Sequence, residues 1–275
     1  MALTLMYITN DPQVALIAER NGVDRVWIDL ETLGKEERQK NMNTVKSQHT
    51  VADVAAVARV LTKAELMVRI DPWNENSVRQ IEEVIAAGAE RIMLPMWKTR
   101  EEVHGFLSAV NGRTRTTLLL ETKEAAQILE DVLEEPMVDE LHIGLNDLHL
   151  SLGLTFMFEL LSNGTVEALC CKCREKGIAY GFGGIARIGE GTLPAERIVM
   201  EHYRLGSTRA ILSRSFCNTE QCPDLDTIDR IFRENMVRLR DFEASLTSVK
   251  PEIYAENTRQ VKKCVDRIVD NIRRK

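Results

Sequence analysis

The sequence lacks any run of about 18 consecutive apolar residues, the length that a helix needs to cross a bilayer, so no membrane span is expected. It also has no excess of basic charge, because 36 Lys and Arg stand against 42 Asp and Glu and give a net charge of −6. This balance argues against nucleic acid or an anionic membrane as the main partner. The apolar first residues, Met1–Tyr7, lack the basic start and the small-residue cleavage site of a secretory signal. We therefore expect a cytoplasmic protein.

The cysteines lack the spacing of a metal site. Cys170, Cys171 and Cys173 lie together in one helical stretch, and Cys217 and Cys222 flank a loop. A zinc site would need a C-x₂-C pair with a second pair or with histidines, and this pattern is absent from the sequence. Since thiols stay reduced in the cytoplasm, we interpret these residues as ordinary thiols.

Short apolar runs rich in β-forming residues alternate with amphipathic helical stretches, which is typical of βαβ units and a parallel sheet. The length of 275 residues suits one barrel, and no glycine-rich dinucleotide motif follows the first run. We predict an α/β protein with a (β/α)₈ TIM barrel as its catalytic domain over residues 1–223. The eight predicted strands are Thr4–Thr9, Arg25–Leu30, Glu65–Ile70, Arg91–Leu94, Thr116–Glu121, Glu140–Gly144, Ile178–Phe182 and Ala210–Ser213.

Residues 224–275 are predicted to form a C-terminal helical extension. The pattern there is helical and charged over Phe232–Leu246 and Asn257–Arg273, with Pro251 as a break. The helical pattern after Asp224 carries an apolar stripe that is broader than closing a barrel requires. We therefore expect a homo-oligomer built through this extension. The stripe consists of Ile228, Ile231, Phe232, Val237 and Leu239.

Polar residues collect where the predicted strands end. In a barrel of this kind the loops after the strands form the active site, so these residues should share one rim. One cation and several carboxylates therefore converge there. They are Asp29, Glu31, Arg69, Asp71, Glu121, Asn146 and Asp147.

Glu121 and Asp147 follow adjacent strands and form a candidate metal site. Glu121 closes the apolar run Leu118-Leu119-Leu120, where a buried carboxylate needs a cation or a proton. Two carboxylates suit a hard ion such as Mg²⁺, which takes its other ligands from water and substrate oxygens. The alternative is that Glu121 pairs with an internal arginine and Asp147 caps the following helix. The residues alone leave both interpretations open.

Arg69 ends the third predicted strand and has two interpretations of its own. Its planar guanidinium suits the recognition of a carboxylate or an enolate oxygen better than a lysine would. An inward arginine beside carboxylates could equally form a structural ion pair.

The motifs at these strand ends resemble those of the HpcH/HpaI aldolases, the family of the citrate lyase β-subunit and the 2-oxo-3-deoxy acid aldolases. The resemblance runs roughly from Val26 to Phe216. Four motifs appear in family order, and together they are specific. They are Val68-Arg69-Ile70, Gly88-Ala89-Glu90-Arg91-Ile92-Met93-Leu94-Pro95-Met96, Leu120-Glu121-Thr122, and Asp139-Glu140-Leu141-His142-Ile143-Gly144-Leu145-Asn146-Asp147-Leu148 followed by Ser151-Leu152-Gly153.

The resemblance implies a carbon–carbon lyase of the metal-dependent aldolase type. Its cofactor would be Mg²⁺, or Mn²⁺ or Co²⁺, held by Glu121 and Asp147, with Arg69 on the 2-oxo acid or its enolate. Asp29 and Glu31 match the family's Asp-x-Glu phrase close around the metal and are expected in the catalytic set. The substrates would be a 2-oxo acid such as pyruvate or oxaloacetate and an aldehyde or acyl partner. The alternatives are a citrate-lyase-like acyl-CoA lyase or thioesterase, and a non-catalytic binding barrel.

One departure from the family concerns the catalytic base. Many of these aldolases have a histidine directly after the Asp-x-Glu phrase, whereas this chain has Thr32. His49, in the loop before the next helix, is our candidate replacement because an imidazole titrates in the useful range. The alternative is that His49 only precedes a helix cap. His142 and His149 flank Asp147 and are interpreted as packing or neighbouring residues.

The loop that leaves the seventh predicted strand is rich in glycine, with the sequence Gly181-Phe182-Gly183-Gly184-Ile185-Ala186-Arg187-Ile188-Gly189-Glu190-Gly191. Backbone N–H groups freed by glycines can bind an anion, and Arg187 could assist. We therefore place Gly183, Gly184 and Asn146 among the candidate substrate-binding residues. A tight-turn lid is the plainer alternative, since the spacing is not that of a phosphate-binding loop.

Overall fold

The computed structural model describes residues 2–34 and 49–274. In it eight parallel strands close into one barrel in sequence order, and the register Leu5↔Ala210 joins the first strand to the last. The predicted (β/α)₈ fold is confirmed. The strands are β1 Thr4–Ile8, β2 Arg25–Asp29, β3 Glu65–Arg69, β4 Arg91–Leu94, β5 Arg115–Leu120, β6 Glu140–Ile143, β7 Ala179–Ile185 and β8 Arg209–Leu212.

Helices cover the outside of the barrel. Outward side chains of the strands, such as Leu66 and Val68 on β3, are fully buried against them. The described helices up to β8 are α1 Pro12–Arg20, α2 Val51–Ala58, α3 Ser77–Ala86, α4 Arg100–Val110, α5 Lys123–Gln127, α6 Leu129–Val132, α7 Leu145–Ser151, α8 Glu159–Ser162, α9 Thr165–Glu175 and α10 Ala195–Leu205. After β8 come the 3₁₀ turn Thr219–Gln221 and the helices α11 Leu225–Leu246 and α12 Pro251–Arg273.

The inside of the barrel is built in levels, because alternate residues of each strand point inward. The first residues of the strands bring an ion-pair network to the floor, in which Glu140 meets Arg25 and Arg209. Above it lies an apolar level of Met6, Trp27, Met67, Met93 and Leu119, packed with Ile8 and Ile211. His142 lies at this level too, since it pairs with Leu119 across β5 and β6.

The C-terminal helices correct the reasoning behind the predicted oligomer. Within the described chain, Ile228, Phe232 and Leu239 are buried, and the Phe232 ring meets Tyr7 edge-on at 4.9 Å. Most of the apolar stripe therefore packs against the chain's own barrel, whereas Val237 is exposed. The homo-oligomer stays a prediction, but this stripe does not support it. Pro251 marks the break between the two helices, since α11 ends at Leu246 and α12 begins at Pro251.

Two smaller sequence inferences can be compared with the structure. None of the described helices is long and apolar enough to cross a membrane. All six cysteines are unpaired thiols, as predicted.

Two buried imidazoles give the fold a pH dependence. His202 lies flat on Phe182, with 3.8 Å between the ring centroids. Burial lowers the pKa of His202 to about 3 and that of His142 to about 4. In the unfolded chain both would titrate near 6.5, so the unfolded state binds more protons below that pH. Their contribution to stability is therefore complete above about pH 6.5 and declines as the pH falls toward 4.

We expect each imidazole to remove up to about 1.4 kcal/mol of unfolding free energy per pH unit in this window. Urea denaturation at pH 7.5, 6.5 and 5.5 would measure it. His202→Leu should flatten the dependence, because it removes one of the two buried imidazoles. An equal slope in wild type and His202→Leu would contradict the prediction.

Candidate active site

A cavity of about 190 Å³ opens at the carboxyl ends of the strands and brings most of the predicted rim residues together. It is much smaller than the pockets of about 300–1,000 Å³ that take drug-sized ligands, so it suits a small acid. Of the predicted residues, Arg69, Glu121, Asn146, Asp147, Gly183 and Gly184 line it. The other lining residues are Trp27, Leu119, His142, Gly144, Leu145, Met157, Ile211 and Ser213.

Arg69 is both an ion-pair partner and a wall of this cavity. Its Nε and Nη2 donate to the two carboxylate oxygens of Asp29 at 2.9 and 2.8 Å, and Nη2 lies 3.2 Å from Glu31 Oε2. Burial alone would lower the pKa of Arg69, but Asp29, Glu31 and Glu121 hold it above its ordinary value. The guanidinium is therefore a permanent cation. Among the described residues, its Nη1 has no hydrogen-bond acceptor and is the donor that remains for a ligand.

The same contacts place Asp29 and Glu31. Both carboxylates are buried, and Asp29 Oδ1 also accepts from the amide of Glu31 at 3.2 Å. Together they fix the angle of the Arg69 side chain, whose Cζ atom lies 4.9 Å from the centre of the Trp27 ring. The structural ion pair and the recognition of a substrate oxygen are thus compatible roles for Arg69. The ion pair holds one edge of the guanidinium and thereby orients the other edge.

Asp71, also on the predicted rim, holds the segment after β2 and does not line the inner cavity. Its Oδ1 accepts from the amides of Thr32 and Leu33 at 2.7 and 2.9 Å and from the Thr32 hydroxyl at 3.1 Å. Thr32 thus directs its hydroxyl to a carboxylate beside it. Asp71 therefore holds the backbone and the hydroxyl of Thr32 in place.

His49 contacts the backbone of β2 at Asp29, beside the Arg69 ion pair. Its Nδ1 accepts a hydrogen bond from the amide of Asp29 at 3.0 Å, so in the neutral ring the proton is on Nε2. The alternative interpretation holds as well, because His49 directly precedes Thr50, which caps α2. The Asp29 amide therefore occupies one of the two ring nitrogens of His49.

Glu121 and Asp147 share two cavities. Both line the inner cavity described above, and both border an outer one of about 340 Å³ that includes Lys98 and Lys123. Glu121 is buried, and its Oε1 accepts from the amide of Met96 at 3.2 Å. A Cβ at position 144 would lie 2.9 Å from Glu121 Oε2, so a larger residue there would displace this carboxylate.

The donor set fits a hard divalent cation. In residues 2–34 and 49–274 there is no group of three or more His, Cys, Asp or Glu side chains that could hold a metal by itself. Two carboxylates beside an open cavity do suit Mg²⁺, which keeps waters and accepts substrate oxygens. The hydrogen bonds of Arg69 go to Asp29, while Glu121 acts on Arg69 electrostatically. The cap of α7 is Gly144 rather than Asp147.

A family model described as HpcH/HpaI aldolase/citrate lyase matches residues 3–182. The chain belongs to the HpcH/HpaI aldolase/citrate lyase family. Membership in this family supports an aldolase or lyase type of activity. No curated protein matches the chain significantly.

Solved structures give the same fold. An HpcH/HpaI aldolase from Desulfitobacterium hafniense DCB-2 is 14% identical, with a TM-score of 0.61 over 77% of this chain and 86% of the other. An HpcH/HpaI aldolase/citrate lyase family protein from Burkholderia cenocepacia J2315 is also 14% identical, with a TM-score of 0.62 and coverages of 87% and 95%. A variant of the citrate synthase SbnG is 17% identical, with a TM-score of 0.57 and coverages of 89% and 95%. At these identities the likeness shows the barrel alone.

The glycine-rich stretch of this HpcH/HpaI chain differs from the expected anion-binding loop. Gly183 and Gly184 belong to β7, which bulges between Gly181 and Gly184. Gly183 has φ +51°, and its carbonyl oxygen lies 3.2 Å from His142 Nε2. Arg187 donates to the carbonyl of Phe216 at 2.7 Å and does not line the inner cavity. The glycines therefore shape the cavity wall, and Arg187 does not assist there.

Sequence reasoning missed four wall residues of this family member, namely Trp27, His142, Met157 and Ser213. The signal for two of them was available, because Trp27 lies two residues before Asp29 and His142 two residues before Gly144. Residues two apart on a strand share a face, so both had to point inward. His142, interpreted as a packing residue, is a wall of the cavity.

Proposed function

We propose that the chain is a divalent-metal-dependent aldolase or lyase that forms or cleaves a carbon–carbon bond through the enolate of a 2-oxo acid such as pyruvate or oxaloacetate. The observation that carries this proposal is the inner cavity, where a permanently charged arginine and two carboxylates meet. An arginine and a hard cation are the groups that stabilise an enolate and its carboxylate.

Glu121 and Asp147 would hold the metal, with Mg²⁺ as first choice and Mn²⁺ or Co²⁺ as substitutes. When bound, the ion would supply a Lewis acid for the carboxylate and 2-oxo oxygens of the substrate. The burial of Glu121 and its hydrogen bond from the Met96 amide hold that carboxylate in one orientation. The fixed orientation suits a ligand that must not move during the reaction.

Arg69 would bind the carboxylate or the developing enolate oxygen through Nη1. Asp29 and Glu31 hold the other edge of its guanidinium, so little conformational entropy is lost when substrate binds. Because the negative charge on the oxygen grows as the enolate forms, the arginine contributes more to the transition state than to substrate binding.

His49 would act on the partner rather than on the 2-oxo acid. The Asp29 amide holds its ring beside the end of β2, and proton transfer at the partner's hydroxyl is the role that we assign to it. We expect His49→Ala to keep the enolisation of pyruvate and to lose aldol addition. Loss of both reactions to the same extent would instead place His49 at the enolisation step.

The test of the proposed function is the exchange of the pyruvate methyl protons for deuterium, followed by NMR, because it requires no knowledge of the partner. We expect exchange in the presence of Mg²⁺ or Mn²⁺ and its loss with chelator. Arg69→Lys keeps a charge but loses the planar fork, so exchange should fall about 100-fold. The matched control is Arg113→Lys, at an exposed arginine that forms the same two-point pair with Glu82.

Two results would contradict the proposal. If wild-type protein with either metal shows no exchange, pyruvate enolisation is not its reaction. If Arg69→Lys and Arg113→Lys behave alike, the arginine is only a structural ion-pair partner.

A further inference from the structure

The backbone of Met96 has a left-handed conformation, with φ +54°. For a residue with a Cβ this conformation is sterically costly, so it persists only where the surrounding structure holds it. Among the described residues other than glycine, only Asn111 and Met137 also have positive φ. Asn111 caps the end of α4, a place where asparagine often adopts this conformation. Met96 instead lies in the turn directly after β4, at the rim that carries the candidate active site.

The turn after β4 is tied to the end of β5 at two points. Met96 donates its amide N–H to Glu121 Oε1 at 3.2 Å, and the carbonyl of Trp97 accepts from the hydroxyl of Thr122 at 2.8 Å. Trp97 is 1% exposed, so its side chain anchors the chain that follows Met96 in the core. Pro95 restricts the backbone on the other side. The conformation of Met96 is thus held by its neighbours on both sides.

Glu121 lies between this turn and the end of β6. Its Oε1 meets the amide of Met96, while a Cβ at position 144 would lie 2.9 Å from its Oε2. A hydrogen bond from an amide to a carboxylate is charge-assisted and therefore strong enough to orient the side chain. Because Trp97 anchors the following chain, a change to negative φ at Met96 would turn the preceding peptide group and take its N–H away from Glu121. The orientation of this carboxylate therefore depends on the backbone of Met96.

We propose that Met96 is a positioning residue for the metal ligand Glu121, and that its left-handed backbone rather than its side chain performs this role. The inference rests on the proposed function, in which Glu121 and Asp147 hold the divalent cation. The turn accepts a local steric cost and in return keeps one amide on the carboxylate. Groups that hydrogen-bond to a metal ligand orient it and thereby set the affinity for the metal.

The experiment measures Mn²⁺ affinity by titration calorimetry in Met96→Gly and Met96→Ile. Glycine adopts positive φ freely, whereas β-branched isoleucine does so only rarely. We expect Met96→Ile to weaken Mn²⁺ binding about 10- to 100-fold, the range for losing a group that supports a metal ligand. Met96→Gly should bind at least about 10-fold more tightly than Met96→Ile. A role of the side chain in the wall of the outer cavity predicts the reverse order, because isoleucine is close to methionine in size.

The matched control uses Met137, another left-handed methionine, with φ +68°. It lies in the turn before β6, and its carbonyl accepts from the hydroxyl of Thr116, near the start of β5, at 2.7 Å. It therefore lies at the opposite end of the barrel from Glu121. Met137→Ile should lower the midpoint of thermal unfolding, as Met96→Ile does, and should leave Mn²⁺ affinity unchanged. The comparison separates the orientation of the ligand from a general loss of stability.

A second variant keeps every side chain. Replacing Met96 by its α-hydroxy acid analogue changes the amide N–H to an ester oxygen and retains the methionine side chain. This ester should weaken Mn²⁺ binding about 10-fold or more, because it removes the donor to Glu121 Oε1. It also tests the inference without the steric conflict that isoleucine brings to the fold.

The outcomes separate this inference from the proposed function. Equal Mn²⁺ affinity of the wild type and of folded Met96→Ile or the ester would overturn the positioning role, while metal-dependent pyruvate exchange in the wild type would still support the aldolase. Weaker binding in Met96→Gly than in Met96→Ile would assign the effect to the side chain, and an equal loss in Met137→Ile would assign it to stability. If the wild-type protein binds no Mn²⁺ and shows no exchange, both proposals fail together.

Discussion

Glu121→Gln and Asp147→Asn should each abolish measurable binding of Mn²⁺ and reduce pyruvate exchange to background. Both substitutions keep the size of the side chain and remove the negative charge that a hard cation needs. Loss of a group that only supports a metal ligand typically weakens binding about 10- to 100-fold, so loss of a ligand should exceed that range. Titration calorimetry with Mn²⁺ measures the first effect and deuterium exchange the second.

The fold should survive these substitutions. Gln at position 121 can still accept from the Met96 amide, and the neutral side chain is less costly to bury than the carboxylate. The matched control is Glu124→Gln, which removes a partly exposed charge three residues farther along, at a residue that borders only the outer cavity. Unchanged Mn²⁺ affinity in both the Glu121 and Asp147 variants would exclude this pair as the metal site.

The rim of the barrel could be predicted from the sequence because its causes are local. A parallel strand that ends in Asp29, Arg69 or Glu121 delivers that residue to the carboxyl edge whatever its neighbours are. The alternation of apolar strands and amphipathic helices then predicts a barrel. In the structure the eight strands close in sequence order. The residues of the rim could therefore be predicted from the alternation of side chains along each strand and from the parallel direction of the strands.

What could not be predicted depends on contacts across the closed barrel. Trp27 and His142 belong to strands far apart in sequence, and only closure brings them to one cavity. The tautomer of His142 depends on a bulge in β7, which the sequence showed only as a run of glycines. The apolar stripe after Asp224 was visible, but the sequence could not show that Phe232 would pack against Tyr7 of its own chain.

Glu140→Gln should destabilise the whole barrel by about 3–5 kcal/mol, the range for removing one partner from a buried ion pair. Glu140 accepts from Arg25 Nη1 at 2.6 Å and from Arg209 Nε at 2.8 Å, and Arg91 Nη1 lies 3.5 Å away. Burial alone would raise the pKa of Glu140, but Arg25, Arg91 and Arg209 lower it to about 2. A neutral amide would leave these three guanidinium groups crowded together at the floor without their shared anion.

The direction of the pH dependence follows from the lowered pKa. The contribution of Glu140 is complete above its unfolded value of 4.5 and is lost as the pH falls toward 2, so the difference between wild type and Glu140→Gln should be constant near neutral pH and shrink in acid. Urea denaturation at pH 7 and pH 3.5 measures it. The matched control is Glu83→Gln, at an exposed pair with Arg79 on α3, which should leave the midpoint unchanged. Because the floor lies two side-chain levels below Arg69, folded Glu140→Gln should bind Mn²⁺ as the wild type does. Equal stability of the two proteins would contradict the prediction and show that the network contributes no net stability.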